Sequence, residues 1–344
     1  MELLPEDAIS VCVADGIRVE RVNPAVLEDV ASIEFSLFNT NNHRDTETYK
    51  DLQRRHADSD YDWYSNIMAE TRMEKWQSAL CDLVRAPEAV LTITAAQQRK
   101  YFKGPVEELA AQCGRAHSLY RDEAEDLAKE LIMAALPLQG KPLVPLSRNG
   151  WFVRTSACSP KDAQDDGGAG PHYSLVSVLL ALFASDRVHG TMKGYTTDTK
   201  VYLVPFDRDV TVERELRVFV NENNVTAISQ YDIFNASVFC IMDDTKLAQV
   251  AKCVDRFHRE QVVPRWNGIS SYIMDVEYCH NGDSHEQPCI RLIELNSFGA
   301  EMAGASCLFH WVRDHKELYD TSGMVCIRVR QSSSCVDDGA EIIV

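Results

Sequence analysis

No stretch of this chain stays apolar for the ~18 residues that a membrane-spanning helix requires. The nearest approach, SLVSVLLALFAS at 174–185, is too short and reads as a buried helix. The opening residues, MELLPEDAIS, lack the basic region and long apolar run of a secretory signal, so a cytoplasmic location is expected. No CxxC pair and no regular spacing connects the 11 cysteines. That argues against zinc ribbons and a disulfide framework and predicts reduced, mostly buried thiols. Basic residues are in the minority, 35 Lys and Arg against 52 Asp and Glu, and they form no dense cluster. A net charge of −17 repels nucleic acid over most of the surface and suits docking onto a basic protein. There is no internal repeat.

What remains is an ordinary globular composition, 45% hydrophobic and 25% charged, in a chain of 344 residues, enough for one large or two ordinary domains. Residues 1–23 alternate in apolar character and read as short strands. From Asn23-Pro24 the texture turns helical, with a polar, loop-like stretch at 39–60 and helices expected over 61–85, 92–102 and 106–136. The aromatic and Met stripe of 61–85 is a core face. Residues 140–146, rich in Pro and Gly, mark a junction. Beyond it strands are expected at 151–155, 200–206, 214–220, 225–230 and 324–330, with helices at 174–185, 243–262 and 308–319 and loops at 157–172 and 331–339. The strands pair as hairpins, which makes the fold class α+β rather than a doubly wound sheet. The division expected is an N-terminal strand-plus-helix region (1–140), two subdomains (141–206 and 207–330) and a tail (331–344).

The most informative stretch runs from 270 to 299, SSYIMDVEYCHNGDSHEQPCIRLIELNSFG. Two apolar runs, YIMDVEY and IRLIELN, flank a polar loop with the hairpin signal Asn281-Gly282. Alternation puts Leu292, Glu294 and Asn296 on one face and Ile293 and Leu295 on the other. If the runs pair antiparallel, Asp275 faces Glu294 and Asn296. Two carboxylates and an amide oxygen are a hard donor set of the kind Mg2+ takes when it also holds a phosphate. Their neighbours are too apolar for a solvated ribbon.

Four other positions stand out. Arg154 ends the strand WFVRT ahead of a loop of small residues, where a cation can reach a phosphate. Backbone N–H groups of 156–161, beginning at Ser156, can close over it. Arg217 interrupts LRVFV and either pairs with Glu215 or points toward the acids. Gln230, ending AISQ, fits a buried or a binding role. Residues 200–206, KVYLVPF, suit either a hinge whose backbone meets an adenine edge or any core strand.

Together FVRTSACSPKDA (152–163), ELRVFVNENNVTAISQYD (215–232), YIMDVEY (272–278) and LIELNSFG (292–299) resemble the cell division cycle protein 123 family, an ATP-grasp-like family. The resemblance implies two α+β subdomains clasping Mg-ATP, with an added helical N-terminal region here. It implies that Arg154 stands where the family has a phosphate-contacting lysine, with Ser156 beside it. Leu203, Val204 and Phe206 fall in the adenine hinge, and Arg217 and Gln230 in the nucleotide site. Asp275, Glu294 and Asn296 correspond to the metal-holding Asp, Asp and Asn. Arg154 for lysine, Glu294 for aspartate and Ser297 for proline depart from the pattern. By resemblance the chain is an ATP-dependent assembly chaperone for the heterotrimeric translation initiation factor. The alternative is an ATP-grasp ligase activating a carboxylate as an acyl phosphate, or a phosphotransferase, with Lys161, Lys193 and Lys200 as unspecific candidate cations. No catalytic residue is named.

Overall fold

The computed structural model describes residues 9–25, 68–102, 120–139, 148–163, 170–192, 196–279, 289–299, 302, 304–311 and 313–332. The chain forms two compact units, Arg85–Asp209 and the discontinuous pair Met1–Val84 with Val210–Val344. Mixed sheets and helices make it α+β.

In the unit Arg85–Asp209, β5 (Thr199–Pro205) lies between β3 (Ala89–Ile93) and β4 (Trp151–Thr155), antiparallel to both. Its Val201 and Leu203 are fully buried in a core shared with Ile93, Val153, Leu127, Val178, Leu179 and Leu182. Among the described residues the helices of this unit are α2 (Ala95–Tyr101), α3 (Arg121–Gln139), α4 (Leu175–Phe183) and α5 (Asp186–Thr191). The α4 sequence LVSVLLALF is apolar almost all round, as a helix within a core must be. Ser174 and Ser177 exchange capping hydrogen bonds at its start. Phe183 meets Phe102 edge-on at 4.7 Å between centroids. Residues 92–102 were expected to be helical throughout; they divide into the end of β3 and α2, with Thr94 as the cap between them.

The other unit holds a seven-stranded sheet in the order β1-β2-β10-β7-β6-β8-β9. Its strands are β1 (Ile9–Ala14), β2 (Ile17–Val22), β6 (Glu215–Asn221), β7 (Asn224–Gln230), β8 (Tyr272–Cys279), β9 (Cys289–Ser297) and β10 (Cys326–Arg330). All neighbours pair antiparallel except β10, which runs parallel to both β2 and β7. Helix α6 (Asp244–Phe257), capped by Asp243, buries Leu247, Ala248, Val250, Ala251 and Val254 as one stripe. It runs on into a single π turn, His258–Val262, where buried His258 shares a 2.9 Å hydrogen bond with Tyr272.

Two expected helices are shorter than their pattern. Within 61–85, among the described residues, 68–70 are helical and α1 (Met73–Trp76) follows after a break at 71–72. Trp76 and Leu80 are fully buried, but the chain then leaves the helix and the Leu83 carbonyl accepts from the Leu292 N–H. Thr71 and Met68 likewise meet Ser297, so this segment covers the edge strand β9. Over 308–319, among the described residues, only α7 (His315–Tyr319) is helical. The preceding residues give their peptide groups to the sheet: the Leu308 N–H donates to Ser229, and the Leu308 carbonyl accepts from Arg328. In each case tertiary hydrogen bonds outweigh helical periodicity. The Asn281-Gly282 turn, the first part of the 106–136 helix, the middle of the 157–172 loop and the tail from 333 lie outside the described residues.

Candidate functional site

Residues directly opposite one another in a ladder point to the same face. Five consecutive rungs pair Glu20 with Arg328, Arg328 with Ser229, Ser229 with Arg217, Arg217 with Asp275, and Asp275 with Glu294. One straight row of polar side chains therefore crosses six neighbouring strands. The first five are buried and Glu294, on the edge strand, is half-buried.

Charges removed from water this way must be paired. Arg328 donates from Nε to Glu20 at 2.6 Å and from Nη1 to Asp314 and to the Leu308 carbonyl at 2.8 and 2.9 Å. Its guanidinium lies 4.0 Å over the Phe309 ring. This end of the row is satisfied by the chain itself. At the other end Arg217 makes a two-pronged bond to Asp275, Nε to Oδ1 and Nη2 to Oδ2, both 2.8 Å, while Nη1 donates to the Ala305 carbonyl at 2.7 Å. Burial works against the Arg217 charge, but Asp275 more than offsets it and raises the guanidinium pKa well above its ordinary value. Asn296 Nδ2 donates to Asp275 Oδ2 at 3.0 Å. Cys307 is buried beside this pair, and burial, opposed by Arg217, pushes its thiol up to about 11.

Asp275, Glu294, Asn296 and Arg217 thus share one face of the sheet. Arg217 pairs with Asp275, not with Glu215. The expected alternation along β9 needs one correction. A β-bulge between the Asp275 and Val276 rungs leaves Ile293 unpaired, so Leu292 faces the same side as Leu295 and is buried with it. Arg291 takes the place on the polar face and pairs with buried Glu277 at 3.2 Å. Gln230 is fully buried, one of the two roles its sequence left open. It is opposite Leu216, on the far face from Arg217, and its amide is used by the Asp232 and Asn235 carbonyls, Ser237 and the Arg330 N–H.

Arg154, Ser156, Leu203, Val204 and Phe206 all lie in the unit Arg85–Asp209. Arg154 is buried, opposite Tyr202. Ser156 donates its N–H to the Lys200 carbonyl, and the N–H groups of Ala157 and Cys158 go to the Thr155 hydroxyl. The first N–H groups of the 156–161 loop are therefore taken up internally. Leu203 is a fully buried central-strand residue whose carbonyl accepts from Glu88. Half-buried Phe206 donates its N–H to Gly150, and Val204 is half-buried opposite Phe152.

The donor set can be tested against a divalent cation. Two carboxylates and an amide on adjacent positions of one face are hard oxygen chemistry. Asp275 already accepts three hydrogen bonds, so it would add a cation through its remaining lone-pair capacity. Among the described residues no three His, Cys, Asp or Glu side chains converge to hold a metal ion alone. The set fits a cation that arrives with oxygens of its own, as Mg2+ does on a phosphate, and not a caged resident ion.

Sequence reasoning did not single out Glu20, Ser229, Asp314 or Arg328. The available signal was a charge set among β-branched residues inside a strand, Glu20 in IRVERV and Arg328 in CIRVR.

A model of the D123 family matches residues 182–336. No curated protein sequence matches the chain. Among solved structures, Cdc123 from Schizosaccharomyces pombe aligns with a TM-score of 0.56 at 17% identity, over 78% of this chain and 98% of that one. Its C-terminally truncated form aligns equally, with a TM-score of 0.56 at 17% identity over 78% and 98%. At that identity the likeness shows the fold alone. A RimK domain ATP-grasp protein from Sphaerobacter thermophilus aligns with a TM-score of 0.29 at 12% identity, over 71% of this chain and 61% of that one, too loosely to carry an argument.

Proposed function

From the D123 family pattern carried by residues 182–336, we propose that this chain binds Mg-ATP and acts as an ATP-dependent assembly chaperone for the heterotrimeric translation initiation factor. The observation that carries the nucleotide reading is the Asp275–Glu294–Asn296 group, whose acid is already held by Arg217. Those three residues would hold the metal, which supplies positive charge to join carboxylates to a triphosphate that they would otherwise repel. Glu294, half-buried and outside the Arg217 ion pair, is the side chain best placed to change without disturbing the buried pair. Arg154, Ser156, Leu203, Val204 and Phe206 are proposed as further nucleotide contacts, to be tested singly beginning with Arg154→Ala.

Calorimetric titration decides the first step. ATP is expected to bind with Mg2+ and to lose most of its affinity in EDTA, and Glu294→Ala is expected to lose the Mg-ATP-induced rise in melting temperature. Equal affinity with and without metal would overturn the metal reading. The net charge of −17 supports a basic protein partner. Pull-down from extract in Mg-ATP is expected to recover subunits of the initiation factor from the unmodified chain and not from Glu294→Ala. ADP formation that depends on a small molecule, with no partner recovered, would replace the chaperone reading by a ligase.

A further inference from the structure

We propose that Cys279 and Cys289 form a reversible disulfide across the β8–β9 ladder, a thiol-modification site separate from the acid group. The two residues are direct register partners. Opposite Cα atoms in an antiparallel pair stand about 4.5–5.5 Å apart and their side chains leave the same face. Disulfides span Cα separations of about 4.4–6.8 Å, so the bond forms with little backbone movement. Among the described residues this is the sole ladder rung with cysteine on both strands: Cys12 faces Val19, and Cys326 faces Arg18 and Ala227.

The pair is also unequal in a way that orders the chemistry. Cys289 is exposed and Cys279 is partly covered, whereas Cys158, Cys240, Cys307 and Cys326 are buried out of reach. Burial first, and then the Glu277 carboxylate, push the Cys279 thiol up to about 12. Cys289 is therefore the residue that meets an oxidant, and Cys279 the one that resolves the adduct. With a small-molecule disulfide as oxidant, the Cys289 thiolate attacks one sulfur and expels a small thiolate. The Cys279 sulfur then displaces the second small thiol from Cys289. The two protein thiols lose two electrons and two protons, and the small disulfide gains both as two thiols. The new bond closes the end of the same strand pair that carries the Asp275–Glu294 rung.

Incubation of the full chain in glutathione buffers of rising oxidised fraction, followed by acid quench, alkylation and peptide mass mapping, tests this. A peptide pair joined through Cys279 and Cys289, lacking two hydrogens, is expected to accumulate and to vanish with dithiothreitol. Exposed Cys81 should end only as its glutathione adduct. Cys279→Ala should trap Cys289 as its glutathione adduct, and Cys289→Ser should leave Cys279 reduced. The proposal is overturned if both cysteines of the unmodified chain stay singly alkylated or singly adducted where Cys81 has reacted. Linkage of either one to a different cysteine overturns it equally.

Discussion

At the scale of single residues, the Arg217–Asp275 pair shows what a buried charge demands. Each side chain is almost entirely out of water, and each is tolerable only because the other is there. Arg217→Met leaves Asp275 as an uncompensated buried carboxylate and is expected to cost about 3–5 kcal/mol in urea denaturation. Arg217→Met combined with Asp275→Leu should recover most of that loss; an additive result would show that the two charges do not depend on each other. His258 gives a pH signature. It is fully buried, and burial first and Arg259 second lower its pKa from 6.5 to about 4. The folded value lies below the unfolded one, so this contribution is fully present above pH 6.5 and is lost as pH falls toward 4. Across that window only the unfolded chain binds the proton, which removes roughly 3 kcal/mol. Asp314, whose pKa is lowered with Arg328 beside it despite burial, acts at lower pH, below its ordinary carboxylate value. In denaturation from pH 7 to 4, His258→Gln should flatten the acid slope; an unchanged slope would place the titration elsewhere. At this scale Asp275, Glu294, Asn296 and Arg217 stood out because polar and charged groups inside an apolar strand are costly and therefore informative. The face Gln230 takes was not legible, because a strand-end amide carries no mark of it.

At the scale of elements, most strands and hairpins were readable from alternation and turn residues. What could not be read was where tertiary hydrogen bonds take over, as at Leu83 and Leu308, or where one extra residue shifts a ladder, as at Ile293. The two described hairpin turns bear on stability. Asp15-Gly16 closes β1–β2 with φ of 53° and 79°, and Glu222-Asn223 closes β6–β7 with φ of 50° and 61°. Both pairs occupy left-handed backbone, but only the first has the residues that adopt it readily. Replacing Glu222-Asn223 with Asn-Gly is expected to raise stability by ~1 kcal/mol, read as a higher urea midpoint. In the other unit, Ser174→Ala removes the α4 cap and should cost about 1 kcal/mol.

At the scale of the molecule, the unit Arg85–Asp209 has its own sheet and, among the described residues, its own hydrophobic core. A fragment of 85–209 is expected to melt cooperatively with ordered near-ultraviolet signal from Trp151; a broad transition lacking that signal would show dependence on the rest of the chain. The other unit is discontinuous, and the D123 pattern begins inside one unit and ends inside the other.

The place of β10 sets an order on biosynthesis. Among the described strands the ribbon β1–β2 leaves the ribosome before the others, yet its inner neighbour β10 is translated after all of them, and that strand also borders β7. Until residues 326–330 emerge, Glu20 has Arg18 but lacks Arg328, β2 and β7 each show an open edge, and the unit has two halves without a centre. Nascent chains arrested before Cys326 should therefore be cut readily by protease throughout this unit, while 85–209 is already resistant. The long wait leaves two unpaired strand edges open to other polypeptides.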